Sequence, residues 1–201
     1  MTRVFYVRHG HPSPAVSRAQ PDPSLSSRGQ RQAQAAAERL SDRAGRPRVL
    51  SSPARRALQT ATIIGERLGV AVVVDSDLSE IGGAGDADDV TRRRVSHQWR
   101  NGDRAARHPG GETLGEALDR FTAVLSRAVE AYPGDDLVMV SHGAFLAMGL
   151  LHLCEHDLDP MTVAGLAHCA VPELEIHRAY VGSLGRVRSW ESSAPEQRSP
   201  T

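Results

Sequence analysis

Cysteine is scarce in this chain, since Cys154 and Cys169 are its only thiols among 201 residues. Two cysteines can form at most one disulfide, and in a chain without an export signal we expect both to be free and buried. The sequence also lacks an apolar run of membrane-spanning length, and its first residues do not have the pattern of a secretory signal. We therefore predict a cytoplasmic protein that has no membrane partner.

An excess of charge of either sign is also missing. Lys plus Arg and Asp plus Glu number 24 each, so the formal net charge is zero. A nucleic-acid-binding protein needs a basic excess, so we expect no nucleic-acid partner, and any anion must be bound by a local cluster. Hydrophobic residues make up 40% of the chain, as in an ordinary globular protein. We predict one domain over residues 1–191 and a polar, disordered tail over 192–201.

Short apolar runs alternate with helical patterns along most of the chain. In the helical patterns, apolar residues recur at intervals of three and four, which gives each helix one apolar face. This alternation predicts an α/β fold, a three-layer α/β/α sandwich with a mainly parallel central sheet. Two late segments, 169–177 and 179–189, predict a hairpin. The four predicted parallel strands are 3–7, 47–51, 70–74 and 137–141, the third of them buried on both faces.

Residues 82–112 depart from this alternation. They contain GGAGDADD, TRRR and RNGDRAARHPGGE with few apolar residues, so we predict a small, partly helical cap outside the core. Trp99 is expected to anchor this cap by hydrophobic contact rather than to stack on a ligand. Because the cap should lie over the site, Arg92, Arg93 and Arg100 are candidates for binding a second anionic group of a substrate.

Several polar residues stand close to the ends of predicted strands. Arg8 and His9 end the first strand, His142 ends the fourth, and Arg56 lies in the helix after the second. Because ligands bind beyond the carboxyl ends of parallel strands, we expect these groups to meet at one edge of the sheet. Guanidinium groups match phosphate oxygens, one neutral imidazole can attack phosphorus, and a second can donate to the equatorial oxygens. The cluster therefore predicts phosphoryl transfer, which depends mainly on positioning and charge stabilisation.

These residues belong to a longer set of motifs that resembles the histidine phosphatase superfamily, and within it the phosphoglycerate-mutase-like branch. Arg-His-Gly alone is a weak motif, whereas the ordered set is specific and covers most of the chain. The matching segments are VRHG at 7–10, LS at 25–26 with Gly29 and QA at 32–33, SSPARRALQTA at 51–61, LSE at 78–80, GGET at 110–113 and VSHG at 140–143.

The resemblance implies a role for each matching residue. His9 would be the nucleophile that becomes phosphohistidine, and Arg8, Arg56 and His142 would hold the phosphoryl group. Glu80 would donate a proton to the leaving oxygen and later accept one from water. The family needs no metal, and we predict no cofactor. The implied set is catalytic Arg8, His9, Arg56, Glu80 and His142, with Arg8, His9, Arg56, His142 and Gly143 binding phosphate.

The sequence departs from the family pattern at three places. Ala15 stands where many relatives have an asparagine that contacts phosphate, so that donor is either missing or supplied by Ser13 or His11. The segment after Glu80 differs from the family's, so its substrate contacts are not inherited, and His168 stands where relatives often have asparagine. Other carboxyl groups that could serve as the acid in place of Glu80 are Asp86, Asp88 and Glu112.

One histidine-rich pattern, HLCEH at 152–156, invites a metal site but does not fit one. On a helix, residues two apart point to different faces, so His152, Cys154 and His156 cannot converge on one ion. The sequence also lacks zinc-site spacings, a complete calcium loop, a nucleotide-binding glycine loop and a serine hydrolase motif. We therefore predict that no metal is bound.

The residues leave three functions to compare. We predict hydrolysis of a phosphate monoester on a small metabolite through a phosphohistidine. A phosphoglycerate-mutase-type transfer is the first alternative, disfavoured because such mutases are usually longer and must keep their intermediate from water. A non-catalytic phospholigand-binding module is the second, supported only by Ala15 and the altered segment after Glu80. The sequence gives neither the substrate nor the oligomeric state, although a late edge strand could pair two copies into a homodimer.

Overall fold

The protein is built on one mixed sheet of six strands with helices on both faces. The computed structural model describes residues 2–14, 22–82, 88–153, 168–169, 173–176 and 185–189, the last two segments by their backbone. Ala15, Asp86, Cys154 and the predicted tail lie outside the described residues. The strands are β1 (Thr2–Arg8), β2 (Pro47–Ser51), β3 (Val72–Val74), β4 (Asp136–Ser141), β5 (Glu173–Ile176) and β6 (Gly185–Ser189).

The strand order in the sheet is β3-β2-β4-β1-β5-β6. The first four of these strands run parallel, and the last two form an antiparallel hairpin against β1. This arrangement confirms the predicted α/β fold with a mainly parallel sheet and a late hairpin. The parallel pairing puts the carboxyl ends of β1, β2 and β4 side by side, with Val7 opposite Val140 and Ser51 opposite Val140.

Among the described residues, five helices and one 3-10 turn connect the strands. Ser26 caps α1 by accepting a hydrogen bond from the Gly29 N–H. Thr113 and Glu116 form a capping box at the start of α4, which fixes where that helix begins. The elements are α1 (Ser27–Ser41), α2 (Arg55–Leu68), the 3-10 turn Ser76–Leu78, α3 (Asp89–Arg100), α4 (Leu114–Ala131) and α5 (Gly143–Leu153).

Alternate residues of the central strands divide the core into two layers. Phe5 and Val7 of β1 pack with α1 and α2, whereas Val4 and Tyr6 pack with the face formed by α3, α4 and α5. Both sets of side chains are fully buried, as expected when a parallel sheet is covered on both sides. The three layers predicted from the sequence are therefore present among the described residues.

The structure corrects one strand prediction and refines another. The run 70–74 was predicted to be buried on both faces, but β3 has three residues, lies at the edge of the sheet and leaves Val73 and Val74 about half exposed. An apolar run cannot distinguish a central strand from an edge strand, because neighbours in the sheet come from distant sequence. The segment 82–112 is tied to the core more firmly than predicted, since Val95 and Trp99 are buried in the α4–α5 layer.

Trp99 anchors this segment as the sequence predicted. Its side chain is 5% exposed, and its indole N–H donates to the Ala106 carbonyl at 2.8 Å. The tryptophan ring also meets His108 edge to face, with ring centroids 4.9 Å apart. A buried tryptophan with a satisfied N–H holds α3 against the core and is not available for stacking on a ligand.

Candidate functional site

The ends of β1 and β4 bring two histidines together in the interior. His9 follows β1 and His142 follows β4, and the His9 N–H donates to the Ser141 carbonyl at 2.9 Å. Their rings meet edge to face with centroids 5.2 Å apart, and the two residues are 6% and 1% exposed. The parallel register of β1 and β4 therefore creates the pair, as the positions at the strand ends predicted.

Arg56 of α2 bridges the two imidazole rings. Its Nε–H donates to His9 Nε2 at 3.1 Å, and its Nη2–H donates to His142 Nδ1 at 3.1 Å. Both ring nitrogens thus act as acceptors, so each neutral ring carries its proton on the other nitrogen. His9 Nδ1–H then donates to the Gly10 carbonyl at 2.8 Å, and His142 Nε2–H to Ser52 Oγ at 2.8 Å.

Both histidines are held in the neutral form. Burial lowers the pKa of His9 to about 3, and the charges of Arg56 and Arg8 act in the same direction. Burial, followed by Arg56, lowers the pKa of His142 to about 2. A buried cluster that already contains guanidinium cations disfavours a further positive charge, so the cluster is complementary to an anion.

Arg8, the last residue of β1, is the second arginine of the cluster. Burial lowers the pKa of its guanidinium, while the nearby Glu80 carboxylate acts in the opposite direction. A Cβ atom at Gly143 would lie 3.1 Å from Arg8 Cζ, closer than ordinary van der Waals contact. Glycine at the first residue of α5 thus lets the guanidinium lie directly against the backbone beside His142.

Glu80 is held at the same helix terminus. Its Oε1 accepts hydrogen bonds from the Phe145 N–H at 2.8 Å and from its own neighbour, the Ile81 N–H, at 3.1 Å. Its Oε2 accepts from the Ala144 N–H at 3.3 Å. The Ala144 and Phe145 amides belong to the first turn of α5, so Glu80 and His142 share one helix N-terminus, a favourable place for a carboxylate.

The described alternatives to Glu80 have other partners. Asp88 caps α3 by accepting from the Thr91 N–H at 2.6 Å, and this hydrogen bond is the main cause of its lowered pKa. Glu112 forms an ion pair with Arg120. Asp86 lies outside the described residues. Glu80 is thus the carboxylate that the structure places beside Arg8 and the helix that follows His142.

Two further imidazole rings, those of His168 and His11, lie next to His9 or next to each other. The His168 ring lies 5.4 Å from that of His9, and the His11 ring lies 5.5 Å from that of His168. Burial lowers the pKa of His168 to about 4, and the Arg8 charge adds to this effect. The sequence identified His168 only as a departure from the family pattern, because no local pattern indicates that its ring lies beside His9.

The turn that carries His168 is fixed to the site. The Cys169 N–H donates to the Arg8 carbonyl at 2.8 Å, and the Cys169 carbonyl accepts from Arg39 Nη2 at 3.1 Å. Cys169 has a positive φ of 57°, which is uncommon for a residue with a side chain. Its thiol is free and buried, as predicted, and burial raises its pKa to about 12.

The backbone at His11 is packed tightly against the start of α1. A Cβ atom at Gly29 would lie 2.2 Å from the His11 carbonyl oxygen, so only glycine fits there. His11 Nδ1 lies 2.9 Å from Ser26 Oγ, the capping oxygen of α1. The Ser13 N–H donates to the Ser24 carbonyl at 2.8 Å. The backbone of the segment with His11 and Ser13, the two candidate replacements for the family's asparagine, is therefore held in place.

Asp22 is a site neighbour that the sequence did not reveal. Its Oδ1 accepts from Arg56 Nη1 at 3.3 Å, and its Oδ2 accepts from the Arg55 N–H at 2.7 Å. The carboxylate thus caps the start of α2 and also supports the guanidinium that bridges the histidines. The distance of 34 residues along the chain hid this pairing from sequence reasoning.

The three cap arginines lie on a different surface. Arg92, Arg93 and Arg100 line an exposed pocket on α3 together with Ser96 and His97. Arg92 also forms an ion pair with Asp89 one turn earlier on the helix. None of the residues around His9 and His142 lines this pocket, so the structure does not bring these arginines into the cluster.

No group of histidine, cysteine and carboxylate side chains suited to a metal ion occurs within the part of the chain that the structure describes. In the same residues, no helix is long and apolar enough to cross a membrane. In the HLCEH segment at 152–156, His152 lies in α5, while Cys154 and His156 fall outside the described residues.

An α/β sheet whose strand ends unite two neutral histidines and two arginines is typical of an enzyme that transfers phosphoryl groups. The model of the histidine phosphatase superfamily (branch 1) matches residues 4–185. The chain belongs to this superfamily, which confirms the resemblance seen in its motifs. It shares 32% identity over 164 residues with the probable phosphoglycerate mutase GpmB of Salmonella paratyphi C, covering 75% of this chain and 73% of that protein.

Solved structures agree with this placement. Mycobacterial glucosyl-3-phosphoglycerate phosphatase, solved with VO3, superposes with a TM-score of 0.74 at 28% identity, covering 95% of this chain and 99% of that one. Phosphoserine phosphatase from Entamoeba histolytica, solved with 3-phosphoglyceric acid, gives a TM-score of 0.73 at 19% identity over 96% of this chain and 98% of that one. The second likeness supports the fold alone. The family and the mycobacterial neighbour together identify the protein as a phosphatase enzyme.

Proposed function

We propose that this enzyme hydrolyses a phosphate monoester of a small metabolite in two steps, through a phosphoryl group carried on His9. The observation that supports this proposal is the bridge that Arg56 makes between His9 Nε2 and His142 Nδ1. A tetrahedral anion that replaces this bridge would be met by guanidinium donors and by both imidazoles.

His9 is suited to act as the nucleophile because its attacking nitrogen is fixed and unprotonated. Its Nδ1–H is used by the Gly10 carbonyl at 2.8 Å, so the lone pair on Nε2 points to the Arg56 side. With a pKa of about 3, the ring stays neutral at physiological pH. In the first step Nε2 forms a bond to phosphorus while the bond from phosphorus to the ester oxygen breaks.

His142 and the two arginines hold the transferred group. The entering anion draws the donors of Arg56 away from the histidine nitrogens and onto its own oxygens. His142 Nδ1 then loses its donor and faces a dianion, which favours proton uptake at that nitrogen. The resulting N–H donates to a phosphoryl oxygen, while Nε2–H stays bound to Ser52 Oγ.

Glu80 completes the proton balance. In the first step its carboxyl group gives a proton to the departing ester oxygen, which leaves as an alcohol. In the second step the carboxylate accepts a proton from water, whose oxygen attacks phosphorus while the bond to His9 Nε2 breaks. Inorganic phosphate leaves and the free imidazole is restored, so no metal or other cofactor is required.

The substrate class follows from the relatives only in outline. Their names refer to phosphoglycerate mutase, glucosyl-3-phosphoglycerate phosphatase and phosphoserine phosphatase. We propose a small phosphorylated metabolite for this chain as well, acted on in the cytoplasm without a membrane or nucleic-acid partner. Pairing of two copies into a homodimer remains a prediction.

Product analysis tests the proposal against a mutase. Purified enzyme with excess chelator is given p-nitrophenyl phosphate and, separately, 3-phosphoglycerate, and phosphate release and isomerised product are both measured. We expect release of phosphate, an acid-labile phosphoenzyme in quenched samples, and no isomerisation. Isomerisation without net phosphate release would assign the chain to the mutases, and loss of turnover with chelator would contradict the metal-free mechanism.

A further inference from the structure

Arg120 of α4 is an arginine to which the sequence analysis gave no role. Its side chain is 17% exposed, and four groups surround it. Two are backbone carbonyls of the segment that leads to Glu80, one is the Glu112 carboxylate, and one is the Phe145 ring. A guanidinium so completely engaged is unusual for a surface helix.

The first pair of contacts fixes the chain just before Glu80. Arg120 Nη1 donates to the Asp77 carbonyl at 2.6 Å and to the Ser79 carbonyl at 2.9 Å. Between these two residues, the Leu78 carbonyl accepts from Ser141 Oγ at 2.6 Å, next to His142. Three consecutive carbonyls are therefore held, and the direction in which Glu80 leaves this segment is determined.

A second contact fixes the other side of the Glu80 carboxylate. Arg120 Cζ lies 4.3 Å from the centre of the Phe145 ring, in a cation–π arrangement. The Phe145 N–H is the donor that holds Glu80 Oε1 at 2.8 Å. One guanidinium thus supports both the segment after the 3-10 turn that carries Glu80 and the first turn of α5, which binds its carboxylate.

Glu112 holds the guanidinium in turn. Its carboxylate pairs with Arg120 Nη2 and accepts from Arg120 Nε at 3.2 Å. Glu112 also accepts from the Gly82 N–H at 3.4 Å, so the chain on the far side of Glu80 is tied to the same centre. Lysine could not replace this arrangement, because its ammonium is a point charge without a planar fork of donors.

We propose that Arg120 is the positioning residue for the acid Glu80, which it aims at the ester oxygen of the bound substrate. The inference rests on the proposed function, in which Glu80 protonates that oxygen. Arg120 itself touches neither the phosphoryl group nor the leaving group. Its charge also contributes to the lowered pKa of His142, but its hydrogen bonds and its ring contact go to groups around Glu80. Its loss should therefore act mainly on the proton transfer, and the effect should grow with the substrate's need for an acid.

This dependence gives a readout that a general loss of structure would not produce. p-Nitrophenolate leaves readily without a proton, whereas an alkoxide does not, so the two esters differ in their need for Glu80. In Arg120→Met we expect kcat/KM for an alkyl phosphate to fall about a hundredfold, and that for p-nitrophenyl phosphate by less than about threefold. A disturbance of His142, whose phosphate contact serves both esters, would slow both alike.

Arg127 offers a matched control on the same helix. It lies seven residues later on α4 and pairs with Asp75 and Asp77 of the same connecting segment, at 3.1 and 2.7 Å, but it is half exposed. Arg127→Met removes an equal positive charge from α4 and breaks the ion pairs with Asp75 and Asp77, while all the contacts of Arg120 stay in place. We expect its ratio of alkyl to aryl rates to equal that of the unmodified enzyme.

Glu80→Gln separates this inference from the function on which it rests. If Glu80→Gln itself leaves the ratio of rates unchanged, the assignment of the acid in the proposed function fails. If Glu80→Gln lowers the ratio but Arg120→Met does not, only the role of Arg120 is rejected. Agreement requires both variants to lower the ratio, and the double variant to lower it no further than Glu80→Gln alone.

A second variant covers the case in which Arg120→Met does not fold. Arg120→Lys keeps the positive charge over Phe145 and can donate to one of the two carbonyls. We expect the rate for the alkyl ester to fall by about tenfold with little change for the aryl ester. An unchanged ratio in folded Arg120→Lys, together with a lowered ratio in Glu80→Gln, would overturn the proposal.

Discussion

The cluster around His9 and His142 and the exposed face of α3 place arginine in opposite surroundings. The chain contains no lysine, so all 24 of its basic side chains are arginines. Arg56 has a side chain that is 20% exposed and donates to two imidazole nitrogens. Arg92 on α3 is 45% exposed and pairs with a carboxylate on its own helix. Burial and partners, rather than residue identity, decide which arginines can do chemistry.

The histidines show the same contrast. His9 and His142 are buried among cations, which keeps them neutral, whereas His97 of α3 lines an open surface pocket. Neutral imidazoles beside guanidinium groups form a site that an anion completes, while an imidazole on an exposed helix is a solvated side chain. The comparison between these two regions can be tested one residue at a time.

The largest effect is expected from His9→Ala. Removal of the proposed nucleophile should lower kcat for p-nitrophenyl phosphate by about ten-thousandfold and abolish the phosphoenzyme, since His9 Nε2 is the nitrogen that would carry the phosphoryl group. His97→Ala on α3 serves as the control and should retain full activity. Steady-state kinetics and acid-quenched labelling check both variants. Residual activity in His9→Ala within about a hundredfold of the unmodified enzyme would show that His9 is not the nucleophile.

A second prediction concerns stability in acid. The pKa values of His9 and His142 are lowered to about 3 and about 2, so between these values and about pH 6.5 the unfolded chain binds protons that the folded chain does not. The free energy of unfolding should therefore fall with falling pH, by about 1.4 kcal/mol per pH unit for each histidine. Urea unfolding at about pH 7.5 and about pH 5.5 measures this slope.

The double variant His9→Gln/His142→Gln isolates the source of the acid effect. Because glutamine does not titrate, the contribution of His9 and His142 should disappear in this variant, which leaves the smaller contribution of His168, whose pKa is lowered to about 4. His97→Gln, on the exposed face of α3, serves as the control. A slope that is not reduced in the double variant would locate the acid sensitivity elsewhere in the protein.

The sequence predicted the parts of the site that depend on local patterns. β2 matches its predicted bounds, and β1 and β4 lie within a residue or two of theirs, because short apolar runs stop at polar residues with Gly or Pro. Since parallel strands align their carboxyl ends, the meeting of His9 and His142 followed from the same pattern. Glu80 was found through the family motif and not from local physics.

The remaining features depend on contacts that no local pattern reveals. The His168 ring lies beside that of His9 although the two residues are far apart in sequence. Arg120 of α4 donates to the Ser79 carbonyl, next to Glu80. Asp22 joins Arg56 from another loop. The exposure of Val73 was missed for the same reason, since strand order is decided by tertiary packing. Each of these would need the fold before it could be inferred.

Ser52→Ala sharpens the comparison inside the buried cluster. Ser52 Oγ accepts a hydrogen bond from His142 Nε2–H at 2.8 Å. Loss of this hydroxyl frees the imidazole ring to rotate away from the anion. We expect kcat/KM to fall about tenfold, equal to about 1.4 kcal/mol, the cost of one buried hydrogen bond. Ser51→Ala is the matched control, because Ser51 is equally buried but donates to a backbone carbonyl. Equal losses in both variants would show a general packing effect.

The smallest effect is expected on α3. Arg92, Arg93 and Arg100 line a pocket apart from His9, so replacing all three by glutamine should leave kcat/KM for p-nitrophenyl phosphate within about twofold. For a substrate with a second phosphate, KM should rise about threefold through lost long-range attraction, and added salt should remove the difference. Arg94→Gln, one position along the same helix, measures the effect of a single charge. A loss above about tenfold with either substrate would instead place these arginines in direct contact with it, as their position in the cap first suggested.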